Sequence, residues 1–492
     1  MSQKVFWWIL LMSTATISFG QTVDDAVRYS LLNYGSSARS IGAGNAFMSL
    51  GAELGTASTN PAGIAEFRRS EFAFSLDFLN RDTESILEGN GTTMNKSTGS
   101  INQIAAVFVK RNPSPTWETL NLAIGMNTTN LFHQNFQFSG NTQGTIVDRF
   151  TERADGFSPD QLDNFEGGLA YDVQLLYDFE DDDFYESDFV GYTGTVMKMQ
   201  SVERSGSQRE IFISMGGNMR NKLSVGATLG IPVVKFDEAK IYTETDPNDD
   251  IPFFNSLEFV ESLETTGVGI NAKVGIIYKA NRNLRLGASV HSPSILFLRD
   301  VFFTDVRHDL TTETQMNLES NSPESNFKYQ LTTPMRIMGG ASYLYRAGKL
   351  RGFVSAEAEY VSFTQNKFNL TSNSDAAGDL EFQNELNADI DDILTSALNL
   401  RFGVEVGYSA FRLRGGYEKL SNPYNIGSDE ISPKISLGLG LRGNKNYIDL
   451  AYQIQDVEAP YSPYLLSDIS REPSVTNKVN NANLIVTAGF KF

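Results

Sequence analysis

The sequence has no cysteine, and only three histidines and three tryptophans among 492 residues. Without cysteine there is no disulfide scaffold, no thiolate metal site and no lipidated cysteine anchor. His133, His291 and His308 lie far apart and lack HExxH-type spacing, so they read as incidental rather than as metal ligands. GxSxG and P-loop motifs are missing, and no paired carboxylates stand in a recognisable context. No catalytic residue, metal or cofactor is therefore expected, and the chain does not read as an enzyme. Basic stripes are also lacking: 40 Lys and Arg stand against 59 Asp and Glu, for a net charge of −19. That balance argues against nucleic acid as a partner. Beyond residue 20 no apolar run reaches the roughly 18 residues of a spanning helix, and the mean hydropathy is −0.24.

The chain begins with a different texture. Lys4, the apolar run Val5 to Met12 and the small residues Ser18 and Gly20 before Gln21 read as a secretory signal over 1–20, with a buried helix as the alternative. Val23 to Asn33 suits a short helical turn, with Asp24 and Asp25 at its positive end. Gly35 to Ala65 is small, glycine-rich and without a sustained period of either kind. Such a segment makes a poor independent domain and a good filler for a tight cavity, because small residues let backbones approach closely.

From Glu71 the chain alternates apolar and polar residues, segment after segment. Ile448, Leu450, Tyr452 and Ile454 share one face of Tyr447 to Ile454; Phe402, Val404, Val406 and Tyr408 share one face of Arg401 to Tyr408. Period two means strand. Strands are expected near 72–80, 101–110, 119–130, 195–219, 222–242, 257–279, 284–305, 326–346, 350–366, 398–408, 411–420, 432–443, 446–457 and 482–492. Tight turns such as Arg220-Asn221, Ser409-Ala410 and Asn444-Lys445 alternate with long connections at 81–100, 131–194, 243–256, 306–325, 367–397, 421–431 and 458–481. An even strand count with short turns on one side and long loops on the other is the pattern of an outer-membrane barrel. The last residues, Leu484, Val486, Ala488, Phe490 and Phe492, share one face and end on Phe, which looks like the terminal signal of such barrels. The fold class is therefore all-β, a 14-stranded antiparallel transmembrane β-barrel, with residues 1–20 as signal, 21–70 as an N-terminal hatch or plug inside the lumen, and 71–492 as the barrel with long extracellular loops.

Energy orients the strands. An Arg facing lipid costs roughly 2–4 kcal/mol at the bilayer midplane, so Arg412 and Arg414 are assigned to the lumen, as are Arg401 and Arg442. A two-residue turn at Ser409-Ala410 sets Arg414 opposite Glu405 and Glu418 opposite Arg401, and both are expected as lumenal ion pairs. Two long connections carry helical patterns, Pro159 to Leu176 and Asp379 to Leu398, which either cover the barrel mouth or pack on each other. The acidic run Asp178 to Asp183 offers oxygen ligands for a hard cation but lacks EF-hand spacing, and a solvated loop is the better reading.

Ser37-Ala38-Arg39-Ser40-Ile41-Gly42-Ala43-Gly44-Asn45-Ala46-Phe47, followed by Asn60-Pro61-Ala62-Gly63-Ile64-Ala65, resembles the N-terminal motif of the long-chain fatty acid transporter (FadL-type) family of outer-membrane proteins. The resemblance implies a plugged barrel that takes up hydrophobic compounds: capture near the outer loops, passage by the hatch and lateral release through the wall. It carries over Gly42, Gly44, Phe47, Asn60, Pro61, Ala62 and Gly63 as hatch residues. It also implies a kinked third strand with a lateral opening, placed by order near Gly125, Met126, Asn127, Thr128 and Thr129. The expected setting is the outer membrane of a Gram-negative bacterium, with lipid and lipopolysaccharide around a monomer and a hydrophobic small molecule as cargo. The alternatives are a partner protein or secretion shuttle whose loops bind another protein and, further off, a general porin.

Overall fold

The computed structural model describes residues 21–34, 36–180, 182–370, 377–425 and 432–492; the expected signal segment and parts of the 367–397 and 421–431 connections lie outside these. Fourteen antiparallel strands form one closed wall. In chain order they are β1 (Glu71–Leu87), β2 (Asn90–Arg111), β3 (Trp117–Leu131, continued by Gln134–Thr142), β4 (Val196–Met219), β5 (Leu223–Thr245), β6 (Phe254–Lys279) and β7 (Leu284–His291 and Ile295–Thr311). Then follow β8 (Gln315–Asn321, Ser325–Thr332 and Arg336–Ala347), β9 (Leu350–Ser362 and Lys367–Asn369), β10 (Ser396–Tyr408), β11 (Phe411–Lys419), β12 (Lys434–Arg442), β13 (Asn446–Tyr461) and β14 (Val475–Lys491). The ring closes where β1 pairs with β14 from Glu71↔Lys491 to Leu87↔Val475. Closure leaves no sheet edge in the hydrocarbon, where an unpaired backbone group has no water to turn to.

Alternation sorts side chains between two solvents. On β10, Phe402, Val404 and Val406 are exposed outward while Arg401 and Glu405 are buried inward. The outward set round the barrel is Leu, Ile, Val and Phe, the dress of a lipid-facing wall.

Several connections are shorter than the sequence suggests, because the strands run on past the bilayer. The expected 81–100 loop is a hairpin of two long strands, turning at Glu88 and Gly89 with φ of +48° and +82°. Both positive φ values belong to the tight turn that matches strand twist, and the polar alternation of its arms hid them as strand. The 306–325 and 458–481 connections shrink to 312–314 and 462–474 for the same reason. The expected strands 284–305 and 326–346 are interrupted beside Pro293 and Pro334, residues that cannot donate to a ladder.

The expected helix over Pro159 to Leu176 is a correction. Helices α1 (Val23–Ser30), α2 (Ala38–Gly42) and α3 (Thr56–Thr59) precede β1, and the helices near this stretch are α4 (Ile146–Ala154) and the short α5 (Gly167–Asp172). Thr145 starts α4, its Oγ1 accepting the Val147 amide at 3.1 Å, and Glu244 of β5 accepts the Ile146 amide at 2.9 Å. Ile146, Val147 and Phe150 join Leu169, Val173, Tyr242 and Phe259 in an apolar cluster at the outer end. Arg149 and Arg153 both reach Glu166, at 2.5 and 3.2 Å. Burial pushes the Glu166 carboxyl up, but the two guanidiniums outweigh it and hold it below the usual carboxylate range. At the opposite side of the mouth the helix Ala377–Ile393 buries Leu386 and Ile390, and its Asn387 side chain pairs with both the amide and the carbonyl of Phe368.

Two outcomes follow. Val404→Arg places a cation in the lipid-facing band and lowers barrel stability by about 2–4 kcal/mol, read as a shift in denaturant midpoint after refolding into vesicles. Glu166→Gln frees α4 at a cost of about 2 kcal/mol, so trypsin cuts after Arg149 or Arg153 roughly 30-fold faster at neutral pH. Because Glu166 is depressed in the folded state, wild type keeps this tether above the carboxyl's unfolded pKa and loses it only as pH falls through the folded one.

Candidate functional site

The N-terminal segment lines the inside of the wall. Helix α1 (Val23–Ser30) lies toward the outer end, where Tyr29 meets Phe132 edge-on at 6.1 Å. Residues 36–67 then touch inward positions round the ring. The Ala38 amide donates to Thr487 of β14, Asn45 to Glu418 of β11, and the Met48 amide to Glu357 of β9, at 2.7, 2.8 and 2.5 Å. On the far side Ser58 donates to Glu210 of β4 at 2.8 Å, and Asn121 of β3 donates to the Ile64 carbonyl at 2.7 Å.

Small residues make this fit possible. A Cβ on Gly42 would stand 2.9 Å from the Cα of Gly438 on β12. Gly44 has φ of +59°, and a Cβ there would meet the Phe402 carbonyl oxygen at 2.6 Å. Backbone thus lies directly on backbone. Phe47 packs edge-on against Phe353 at 5.3 Å beneath the Arg39 guanidinium. Asn60 ties the lower half of the segment to itself and to the wall. Its amide donates to the Met48 and Ile276 carbonyls at 2.8 and 3.0 Å, and its oxygen accepts the Ala62 amide at 3.1 Å. That last bond caps the 3-10 turn Pro61–Glu66, whose first position is Pro61 and whose Ala62 and Gly63 are buried.

The inner wall carries a lattice of paired charges. Arg414 Nε stands 2.7 Å from Glu405 Oε2, and Arg401 Nε stands 3.6 Å from Glu418 Oε2. The second contact is longer because Arg401 also gives Nη2 to Glu359 at 2.6 Å, and Arg336 holds the other oxygen of that carboxylate at 2.7 Å. Asp449 bridges Arg414 and Arg442 at 2.8 and 2.7 Å. Lys279 and Arg285 hold Glu66 of the N-terminal segment at 2.8 and 3.3 Å, and Lys273 pairs with Glu210. Sequence pairing across one turn found four of these residues. Glu359 lies diagonally to its partners on the neighbouring strands, Asp449 reaches both β12 and β11, and Glu210 and Lys273 bridge β4 and β6 across β5, so direct pairing over one turn does not reveal them, although their inward parity was readable.

Between β2 and β3 the wall is broken. Their ladder runs from Arg111↔Thr119 to Gln103↔Asn127 and ends there. Gly125 and Met126 still sit in regular pairs with Ala105 and Ile104, so the departure starts later than the 125–129 placement. Gly125 is small for packing: a Cβ would lie 2.4 Å from the Cβ of Ala105. From Asn127 alternation fails. Asn127, Thr128 and Thr129 are all buried, a bulge lies between Thr128 and Asn130, and the strand stops before resuming at Gln134. The resumed stretch pairs with β4 alone. Among the described residues the β2 edge from Asn90 to Ser100 therefore has no ladder partner on this side. The freed groups are covered locally: Thr128 Oγ1 donates to the Ile101 carbonyl at 2.8 Å, and the Asn33 amide donates to the Thr129 carbonyl at 2.8 Å.

Behind the break lies a small chamber of about 110 Å³, open to solvent and lined by Thr128, Thr129, Asn33, Tyr34, Arg81 and Lys434 among others. Its lining is mainly polar. Arg81 donates to Asn481 at 2.6 Å and Lys434 to Asn33 at 2.5 Å, and neither has a carboxylate within salt-bridge distance among the described residues. The sequence signal for Arg81 was its inward parity with Asp77 and Leu79, lost by ending the strand at residue 80. His291 is buried, its Nε2 2.6 Å from the Thr59 carbonyl oxygen, and His308 Nδ1 lies 2.9 Å from that of Val173. Among the described residues no group of His, Asp and Glu is placed to hold a metal; of the 178–183 run, residue 181 lies outside the described residues.

No protein-family model and no curated protein matches this sequence. Solved structures do match. The toluene transporter TodX of Pseudomonas putida superposes with a TM-score of 0.52 at 11% identity, over 94% of this chain and 100% of that one. A FadL homologue of Pseudomonas aeruginosa gives 0.52 and 11% over the same shares. The chain has the fold of these two proteins.

Removing Arg414 leaves Glu405 and Asp449 each short of a partner in a buried place. Arg414→Gln is expected to cost about 3–5 kcal/mol, seen as a lower unfolding midpoint of the refolded barrel.

Proposed function

We propose that this barrel carries a hydrophobic compound with a polar end, such as a long-chain fatty acid, across the outer membrane and releases it sideways through the β2–β3 break. The observation that carries the reading is that break, opening onto a chamber walled partly by the N-terminal segment. Counting from Trp117 to Asn127 at about 3.3 Å per residue, with the tilt of such strands, the break falls near the outer edge of an apolar band about 25 Å tall. The N-terminal segment is bonded to the kink through Asn33 and Thr129, so it is positioned to act as a hatch whose movement changes the opening. The names of the two structural neighbours, a toluene transporter and a FadL homologue, favour hydrophobic cargo. The polar chamber favours an amphiphile over a wholly apolar ring compound. The tail, worth about 0.8 kcal/mol per methylene kept from water, follows the lipid side while the head crosses the chamber. No step requires bond making, which fits a non-enzymatic carrier working as a monomer amid lipid and lipopolysaccharide.

A second reading, a partner-binding or shuttle barrel, draws on the outer loops. Phe179 and Val190 are 75% and 71% exposed there, with Phe184 and Phe253 also open.

The test is accumulation of labelled palmitate by cells that depend on this barrel for it, alongside native mass spectrometry of palmitate adducts. Asn130→Trp, which fills the chamber at the kink, is expected to cut accumulation about tenfold, and Asn60→Ala/Pro61→Ala to change adduct occupancy. Undiminished uptake in the filled variant, or no palmitate adduct on wild type, would overturn transport and favour the partner reading.

A further inference from the structure

The two ends of the barrel carry opposite charge. The outer connection 145–195 holds 14 acidic residues and two basic ones. The rim with the short turns is the reverse. Five of its six turns carry an exposed cation, for example Arg111, Arg220, Arg282, Lys349 and Lys445, and Arg69 adds one where the chain enters β1. None of these six has an ion-pair partner among the described residues, and Glu118 is the one exposed acidic side chain described at that rim. In a chain with 19 more acids than bases, an unpaired cationic ring is not a by-product of composition.

The ring lies at one level. Trp117, Tyr278, Tyr343 and Tyr408 stand within a few residues of the same turns, the position of an interfacial aromatic belt. Cations at that depth meet lipid headgroups. A protein partner would call for a patch on one side; these cations are spread round the circumference.

At one place the ring meets an acyl-sized hollow. A groove of about 670 Å³ runs over the outer face of β2 to β5. It is lined by Phe108, Trp117, Leu122, Met215 and the small residues Gly217 and Ala227. Lys110 lines the same groove and faces outward with Phe108, so its stem lies along the apolar wall and its ammonium reaches toward the rim. Arg220 stands in the adjoining turn, and its backbone amide donates to the Thr116 carbonyl at 3.1 Å. Neither Lys110 nor the Arg220 guanidinium has a carboxylate in salt-bridge range among the described residues.

We infer that this groove, with Lys110 and Arg220 at its periplasmic end, is a binding site for a phospholipid with an anionic headgroup from the inner leaflet of the outer membrane. The acyl chain fills the hollow over Gly217 and Ala227, and the two cations take the headgroup phosphate and any further negative charge. The site lies on the lipid face, apart from the chamber and the wall break, so it stands whether or not the barrel transports.

The test uses the full barrel in mild detergent with equal phosphatidylglycerol and phosphatidylcholine, read by native mass spectrometry. Wild type is expected to keep phosphatidylglycerol at least fivefold over phosphatidylcholine. Lys110→Gln/Arg220→Gln is expected to bring that ratio close to one, and Ala227→Trp, which fills the hollow, to cut phosphatidylglycerol adducts at least threefold. Both variants are checked for folding by the heat-dependent gel shift of an intact barrel. Equal retention of the two lipids by wild type overturns the site, as does an unchanged preference in the cation variant or unchanged adducts in the filled one. Displacement of the adducts by millimolar glycerol 3-phosphate, or their replacement by a soluble acidic polypeptide, overturns it as well, since the groove would then hold no lipid tail.

Discussion

A backbone N–H or C=O without a partner costs several kcal/mol in hydrocarbon, and the whole architecture answers to that. It makes the wall a ring. It favours strands that span unbroken and concentrates irregular structure at the two ends, the interruptions beside Pro293 and Pro334 excepted. It also decides where the ring can open. At the β2–β3 break the carbonyls of Ile101 and Thr129 are taken by the Thr128 hydroxyl and the Asn33 amide instead of by a ladder. On β9, where the ladder gives out above Ser362, the Asn387 side chain takes both backbone groups of Phe368. Each gap is closed chemically even where it is open sterically.

The second organising fact is where charge goes. Inside the ring β4 and β6 to β13 each contribute a cation or a carboxylate to the paired charges, and the N-terminal segment joins them through Arg39 and Glu66. Buried pairs of this kind give little net stability over an apolar filling. What they do give is discrimination, because a shift of the segment by one residue would separate Glu66 from Lys279 and Asn45 from Glu418 together. Small residues set how close the segment comes; charges set its register.

Strand number, strand direction and the inward side of each strand were legible because period two is written into the chain wherever one face meets lipid. The pairings Arg414–Glu405 and Arg401–Glu418 were legible because a two-residue turn fixes register over a short span. What was not legible has a common cause. Past the bilayer both faces of a strand meet water, so alternation fades: β1 and β2 were read as ending near Asn80 and starting near Ile101, although the ladder runs on to Leu87↔Asn90. The chamber suffered for the same reason, since Arg81 lies just beyond the apolar stretch. The break near Thr128 was not legible in the residues themselves, and the resemblance placed it by strand order alone, because a bulge leaves three polar residues in a row and no apolar marker. The α4–α5 region has no lipid side at all, and its helices follow local caps such as Thr145 rather than a long period.

The seam between β1 and β14 joins residues about 400 positions apart, Glu71 to Lys491 and onward up the strand. Contacts of such separation form late, since loop-closure entropy must be met before they return anything. The last strand also holds the N-terminal segment, through Thr487 and the Ala38 amide. Order of assembly then becomes part of the fold. Once the seam is paired, the segment can be reached end-on, past the paired charges. A chain exported N-terminus first delivers the segment before any wall exists to receive it. A barrel that pairs this seam last closes around a segment already lying along its inner wall.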